Sequence, residues 1–363
     1  MGPAGDVAAT TPPVRRRAPA AALRLAEARD ARPPSAGPQS VSVVLTNACN
    51  LNCVTCWTYS PLRRERPALE WVRRRLDRPL LKLLFADLAG LGTERVIFTG
   101  GGDPLAHPEF LGIAGDAKAA GLKVTLISNL TLVREREAFL ALRLDTLLAN
   151  FSCADAATYV AFHPNRAAAD FGRLLDTLRA VRAGGTELKL VFVVCRVNAH
   201  VVADRLIDVA AELGASIQLK PMSATPDTGS LLLTGAQRDV LLEARPRLER
   251  RAAEAGVHTN ADAFFAALSG ESAERFPIDS VGCRAGHYYA RVDARGDVRY
   301  CCNPAEGLTV GSLHDAAFAD LWHSAAWQAL RERLHGGGFF EGCERCGKFD
   351  LNLRIAEQLR VPR

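Results

Sequence analysis

From residue 40 onward the chain alternates between two hydrophobic periods. Short β-branched or apolar runs occupy 41–46, 95–99, 123–128, 146–152, 188–194 and 216–220. Between them, 67–91, 109–120, 133–142, 155–183 and 199–213 read as helices. Six strands alternating with helices predict a parallel sheet wound by right-handed crossovers. Six units are too few for a closed eight-stranded barrel. The expected fold class is therefore α/β, a partial (β/α)6 TIM-like barrel over 39–234, with its site at the C-terminal ends of the strands. Residues 235–280 read as a helical connection, clearest as an amphipathic stretch at 238–255. From Gly282 the pattern changes to a hairpin, 288–292 and 297–301 around Ala294-Arg295-Gly296, followed by a helix at 315–334. Residues 281–363 are thus expected to form a small second β-hairpin/helix module. Residues 1–38 hold seven of the 19 prolines and show no period, which predicts a disordered or loosely attached tail.

Composition narrows the classes. A chain of 363 residues allows two domains at ~150 residues each. With 48% hydrophobic and 23% charged residues it can bury a core. No run approaches the ~18 apolar residues of a membrane span, and Arg, Glu and Asp interrupt the N-terminal apolar residues, so no export signal is expected and the location is expected to be cytoplasmic. The net charge is +5, and only six of the 45 basic residues are lysine. The arginines are spread evenly, with no basic stripe interleaved with aromatics, so neither nucleic acid nor membrane is an expected partner.

The ten cysteines carry more information. In TNACNLNCVTCW, directly after the first strand, the spacing is Cys49-x3-Cys53-x2-Cys56. Three thiolates on one loop can hold three irons of a [4Fe–4S] cluster and leave the fourth open. Structural zinc wants four closed ligands, and no fourth Cys or His lies nearby. Downstream come Cys283, Cys301 and Cys343-x2-Cys346, which by ligand type suit zinc or an iron–sulfur cluster equally. Cys302 adjoins Cys301, and neighbours on a strand point to opposite faces, so both are not expected to bind one cluster. Cys302 could replace Cys301, stand free beside the cluster, or pack. Cys153 and Cys195 sit at strand ends, where a buried apolar thiol is the common outcome. His163, His287, Tyr288 and Arg291 are weaker candidates for substrate contact or base, and Trp322 and Trp327 read as core.

The first cysteine loop resembles the signature of the radical S-adenosylmethionine superfamily. Gly101-Gly102-Asp103, in FTGGGDPLAHPEF, resembles its Gly-Gly-Glu motif, with Asp as a departure at a site where backbone contacts dominate. Thr55, where many members carry an aromatic, is another departure. Ser128 and Asn129 in ISNLT, Ser152 in NFSCAD, and Arg196 and Asn198 in VVCRVN fall at the family's cofactor-facing strand ends, with 220–222 at strand six. The resemblance implies that S-adenosylmethionine chelates the open iron. Reductive cleavage then gives a 5′-deoxyadenosyl radical that abstracts a substrate hydrogen, with an external electron donor such as flavodoxin or ferredoxin.

Behind such a barrel, Cys283-x12-Gly296-x4-Cys301 resembles the auxiliary-cluster modules called SPASM and twitch. The further Cys-x2-Cys-x5-Cys-x3-Cys set of a full SPASM module is missing, which implies one auxiliary [4Fe–4S] cluster on Cys283, Cys301, Cys343 and Cys346. Together these features resemble the twitch-type dehydrogenases of aminocyclitol and sugar antibiotics. The implied function is oxidation of a small-molecule sugar, aminocyclitol or nucleoside alcohol in antibiotic biosynthesis. Three alternatives stand beside it. An epimerase would use Cys153, Cys195 or Cys302 as hydrogen donor. A peptide-modifying maturase would bring a leader-binding domain, for which a 38-residue tail is too short. From another class, the chain could be a zinc-stabilised binding module.

Overall fold

The computed structural model describes residues 20–270 and 278–360. Every expected run of the barrel forms a strand: β1 (Ser40–Val44), β2 (Arg95–Thr99), β3 (Lys123–Ser128), β4 (Thr146–Asn150), β5 (Glu187–Val194) and β6 (Ser216–Pro221). Each pairs in parallel with its sequence neighbour. Side chains alternate across a strand, so Val41, Val43, Val96, Phe98, Leu190 and Phe192 all point into the helical layer and are fully buried. The helices Arg78–Gly90, Phe110–Ala119 and Ala168–Ala183 cover that side with Leu81, Leu84, Ile113 and Leu178 among their buried residues. The other side carries Ser42, Thr125, Lys189 and Gln218, polar residues that leave a face for ligands.

The C-terminal module does not form a sheet of its own. β7 (Tyr289–Val292) pairs in parallel with β1, setting Ser42 opposite Arg291. β8 (Asp297–Arg299) and β9 (Thr309–Ser312) follow antiparallel. The result is one open nine-stranded sheet in the order β6-β5-β4-β3-β2-β1-β7-β8-β9. β9 was not expected, because Thr-Val-Gly-Ser is short and partly exposed and shows no alternation. The single helix expected at 315–334 is two, Phe318–Trp322 and Ala325–His335. Ser324 separates them and caps the second by accepting the Trp327 N–H at 3.2 Å. Trp322 and Trp327 are core, as expected, both at 0% exposure. The Arg331 guanidinium lies 4.6 Å from the Trp322 ring centroid and donates to the Gly286 and Trp322 carbonyls at 3.0 Å each.

The N-terminal stretch needs correction from Ala20 on. Ala20–Arg29 is a helix rather than a loose tail. Arg24 is 1% exposed and donates to the Gly37 carbonyl at 3.3 and 3.2 Å, while Ala28 packs with Tyr288 and Ile355. Alanines bury a face without creating a hydrophobic period, which is why the sequence pattern hid it. Residues 1–19 of the expected tail lie outside the described residues. The connection forms as Gly235–Glu254 and Ala261–Leu268, with 271–277 again outside. No helix among the described residues is long and apolar enough to cross a membrane.

Candidate active site

The strand ends gather the first cysteine group. Thr46, just past β1, accepts the Ala48 N–H on its hydroxyl at 3.1 Å and donates to the Arg74 carbonyl at 3.3 Å, which turns the chain into the cysteine loop. Val54 N–H then bonds the Phe162 carbonyl at 3.0 Å, pinning the loop to the barrel. Backbone N–H groups of Thr58 and Tyr59 reach the Cys56 sulfur at 3.4 and 3.2 Å, and the Asn129 amide lies 4.0 Å from the Cys49 sulfur. Such donors favour a thiolate. Burial pushes the Cys49 thiol up to about 11 and the Cys53 thiol higher still. Without metal both are protonated at neutral pH, so loading iron displaces protons.

The glycine motif fits against this loop. Gly102 N–H bonds the Thr46 carbonyl at 3.3 Å, and Asp103 N–H bonds the Ala48 carbonyl at 2.9 Å. A Cβ at Gly102 would stand 1.9 Å from the Ala48 carbonyl oxygen, and one at Gly101 2.5 Å from Asn47 Oδ1. Only glycine lets the β2 turn approach so closely. The Asp103 side chain turns into the protein. Its carboxylate accepts the Leu105 N–H at 2.9 Å, the Asn129 N–H at 2.7 Å and the Ser128 hydroxyl at 2.9 Å. Burial raises its pKa against these hydrogen bonds. What the motif offers outward is therefore backbone, and Asp103 with Ser128 ties the end of β2 to the end of β3.

The remaining strand-end residues divide. Asn129 joins the cysteine loop, donating to Asn50 Oδ1 at 3.3 Å. Ser152 instead accepts the Val193 N–H at 3.0 Å. Asn198, fully buried, accepts the Cys195 N–H at 2.8 Å and donates to the Ser152 and Val193 carbonyls at 2.9 Å each. These two stitch β4 to β5, because short polar side chains satisfy the nearest orphaned backbone groups. Arg196 donates to the Leu232 carbonyl at 3.3 Å, toward the segment after β6. None of the three is in hydrogen-bond contact with the cysteine loop or the glycine turn. Cys153 and Cys195 are fully buried, the first in the main core and the second against Val54, Phe162 and Met222. His163 and His287 are held by the Tyr159 and Arg32 carbonyls at 3.0 Å each, and burial pushes both down to about 4.

The second group does converge. Cys283, Cys301, Cys302, Cys343 and Cys346 all line one cavity of about 550 Å³. Two residues missed in the sequence serve the sulfurs. Asn303 presents its backbone N–H to Cys301 and its amide to Cys343, both at 3.5 Å, and the Asn352 amide lies 3.9 Å from Cys346. Burial pushes the Cys283 and Cys301 thiols up to about 12. Among the described residues no three His, Cys, Asp or Glu side chains gather closely enough to hold a single ion. By ligand type these thiols suit an iron–sulfur cluster or tetrahedral zinc. Trp57, next to Cys56, also lines the cavity, and its indole N–H donates to the Ser223 carbonyl at 2.9 Å. The first cysteine loop thereby forms part of the second group's cavity wall.

Residues 43–204 match the radical SAM superfamily, and residues 283–347 match the SPASM iron–sulfur cluster-binding domain. The chain carries a radical SAM domain followed by a SPASM iron–sulfur cluster-binding domain. It is 31% identical over 180 residues to the PqqA peptide cyclase of Gluconobacter oxydans, covering 49% of this chain and 47% of that protein. Against the PqqA peptide cyclase of Streptomyces rochei it is 31% identical over 189 residues, covering 51% and 48%. The chain thus spans about half the length of these curated relatives. Its fold is that of Streptococcus suis SuiB bound to S-adenosylmethionine, with a TM-score of 0.63 at 12% identity over 84% of this chain and 70% of that one. The superfamily's cofactors follow: S-adenosylmethionine and a [4Fe–4S] cluster at the first group, and a further iron–sulfur cluster at the second. The zinc-stabilised module left open by ligand type gives way to an iron–sulfur domain.

Proposed function

We propose that the chain is a radical S-adenosylmethionine enzyme that oxidises its substrate by two electrons: one leaves with an abstracted hydrogen atom, the other passes to the second iron–sulfur site, and the second hydrogen leaves as a proton to solvent. The observation that carries this reading is the single cavity shared by Trp57, beside Cys56, and the thiols of the C-terminal group. When bound, S-adenosylmethionine on the reduced first cluster supplies a 5′-deoxyadenosyl radical, and the second cluster supplies an electron sink.

The chain's own residues bind and orient. Cys49, Cys53 and Cys56 hold the first cluster. Gly101, Gly102 and the Asp103 backbone, with Asn129, shape the S-adenosylmethionine side. Cys283, Cys301, Cys343 and Cys346 hold the second cluster. Asn303 and Asn352 keep donors on its sulfurs. Trp57, itself largely exposed, contributes one wall of the cavity. The reducing electron comes from an external donor of flavodoxin or ferredoxin type.

The relatives' names favour a peptide as substrate. Oxidation of a sugar, aminocyclitol or nucleoside alcohol is the second reading. It draws on the four cysteines assigned as ligands in the C-terminal group, against the seven of a full SPASM set. Epimerisation would need a hydrogen donor in the cavity. Of Cys153, Cys195 and Cys302, only Cys302 lines it. The test is anaerobic turnover of peptide and sugar-alcohol panels in deuterium oxide with reductant and S-adenosylmethionine. A product lighter by two hydrogens, formed with 5′-deoxyadenosine and lost in Cys49→Ala, is expected. A product of unchanged composition carrying one solvent deuterium would overturn the oxidation.

A further inference from the structure

Asn303 meets two of the four assigned thiols from one position. Its backbone N–H lies 3.5 Å from the Cys301 sulfur, and its side-chain amide lies 3.5 Å from the Cys343 sulfur. The same amide donates to the Glu341 carbonyl at 2.9 Å, while Oδ1 accepts the Ala305 N–H at 2.9 Å. Both amide hydrogens and the carbonyl oxygen are thus committed, which fixes the side chain's orientation. The Cys343 loop comes close to it. Gly342 has a φ of +86°, and a Cβ there would stand 3.2 Å from Asn303 Nδ2. Glycine in this left-handed conformation lets the loop set Cys343 against the amide. In the first loop the Thr58 N–H meets Cys56 in the same way, two residues past the sulfur it serves.

Asn352 differs in kind. Fully buried, it accepts the Arg284 N–H on Oδ1 at 2.7 Å and donates to the Lys348 carbonyl at 3.1 Å, but reaches Cys346 only at 3.9 Å. It staples the backbone beside Cys283 to the start of the helix Phe349–Arg360. Asn303 brings its amide closer to sulfur and joins two ligand-bearing segments 42 positions apart, Cys301 and Cys343.

An electron arriving at an iron–sulfur site adds negative charge that the sulfurs share. N–H groups aimed at those sulfurs stabilise the reduced state more than the oxidised state, and so raise the reduction potential. A hydrocarbon in the same place leaves the added charge without a donor.

We propose that Asn303, through the N–H groups it aims at Cys301 and Cys343, raises the reduction potential of the second iron–sulfur site and so favours uptake of the substrate's electron there. The proposal rests on the reading above, in which that electron is given up by the substrate radical as its proton leaves to solvent. Asn303 acts through the sulfurs and is a positioning residue.

The experiment is an anaerobic redox titration of the reconstituted full-length holoprotein, with each reduced cluster followed by electron paramagnetic resonance. Asn303→Leu removes both the amide and the bond to Ala305. Asn303→Ser removes the amide but keeps a hydroxyl of the kind that accepts an N–H two residues on. Both variants lower the second site's potential, so that at a fixed poise its reduced-to-oxidised ratio falls about tenfold, about 59 mV for a one-electron couple. The first site's potential and the iron content stay at wild-type values in the same samples. An unchanged second-site potential in a variant that keeps its iron, or an equal shift at both sites, would overturn the proposal. So would loss of the second site's iron in both variants, which would assign Asn303 to holding the Cys343 loop. The titration uses no substrate. A product of unchanged composition would therefore count against the oxidation and leave a shifted potential standing, whereas an unshifted potential would count against Asn303 alone.

Discussion

Asp103 separates two ways in which a motif residue can act. Its carboxylate is buried, 3% exposed, and accepts from Leu105 N–H, Asn129 N–H and the Ser128 hydroxyl. Asp103→Ala strands three buried donors, each costing ~1–3 kcal/mol. Allowing for water entering the space, the loss should be about 3–6 kcal/mol of folding stability. Asp103→Asn keeps the shape but exchanges one acceptor for a donor facing N–H or O–H groups, for a loss of roughly 1.5–3 kcal/mol. The assay is anaerobic urea denaturation of the metal-free protein, paired with S-adenosylmethionine binding to the reconstituted protein. Because the motif presents backbone outward, Asp103→Asn should lose stability while folded holoprotein binds S-adenosylmethionine within about threefold of wild type. Wild-type stability with lost binding would refute the reasoning and assign the carboxylate to the cofactor.

Other predictions follow from the same contacts. Gly102→Ala should abolish S-adenosylmethionine binding because its Cβ meets the Ala48 carbonyl at 1.9 Å, whereas Gly101→Ala, whose nearest neighbour is the Asn47 side chain at 2.5 Å, should only weaken it; equal effects would contradict this. His163 and His287 titrate at about 4 when folded and near 6.5 otherwise, so the unfolded chain binds more protons between these values and stability should rise with pH across that window. Urea midpoints at about pH 5 and about pH 7.5 check it, and His163→Asn should flatten the slope. Cys301→Ser should lower the iron of the C-terminal site while Cys302→Ser retains it; the reverse pattern in iron analysis would exchange their roles.

The six barrel strands were legible because β-branched runs alternate with helix-length segments, and a fully parallel sheet follows from that order. The two cysteine groups were legible because spacing alone limits what ligands can do. What stayed hidden has a different physics. The pairing of β7 with β1 joins residues some 250 apart, and no local pattern encodes it. The helix Phe349–Arg360 starts with apolar residues at every second position, Phe349, Leu351, Leu353 and Ile355, which masks its helical face. Within the site, Ser152 and Asn198, expected near the cofactor, also tie strand-end backbone of β4 and β5 together, a role that no local pattern announces. Trp57 belongs to no ligand pattern in sequence, and Asn303 reaches a cysteine 40 residues on.

The account stands on two cluster sites, one on each side of a continuous sheet junction. Iron and sulfide content of anaerobically reconstituted protein tests this most directly, with wild type set beside Cys49→Ala/Cys53→Ala/Cys56→Ala. The prediction is about eight iron in wild type and about four in the triple variant. About four in wild type and none in the variant would leave the C-terminal thiols without a cluster, and would contradict both the electron sink and the oxidation built upon it.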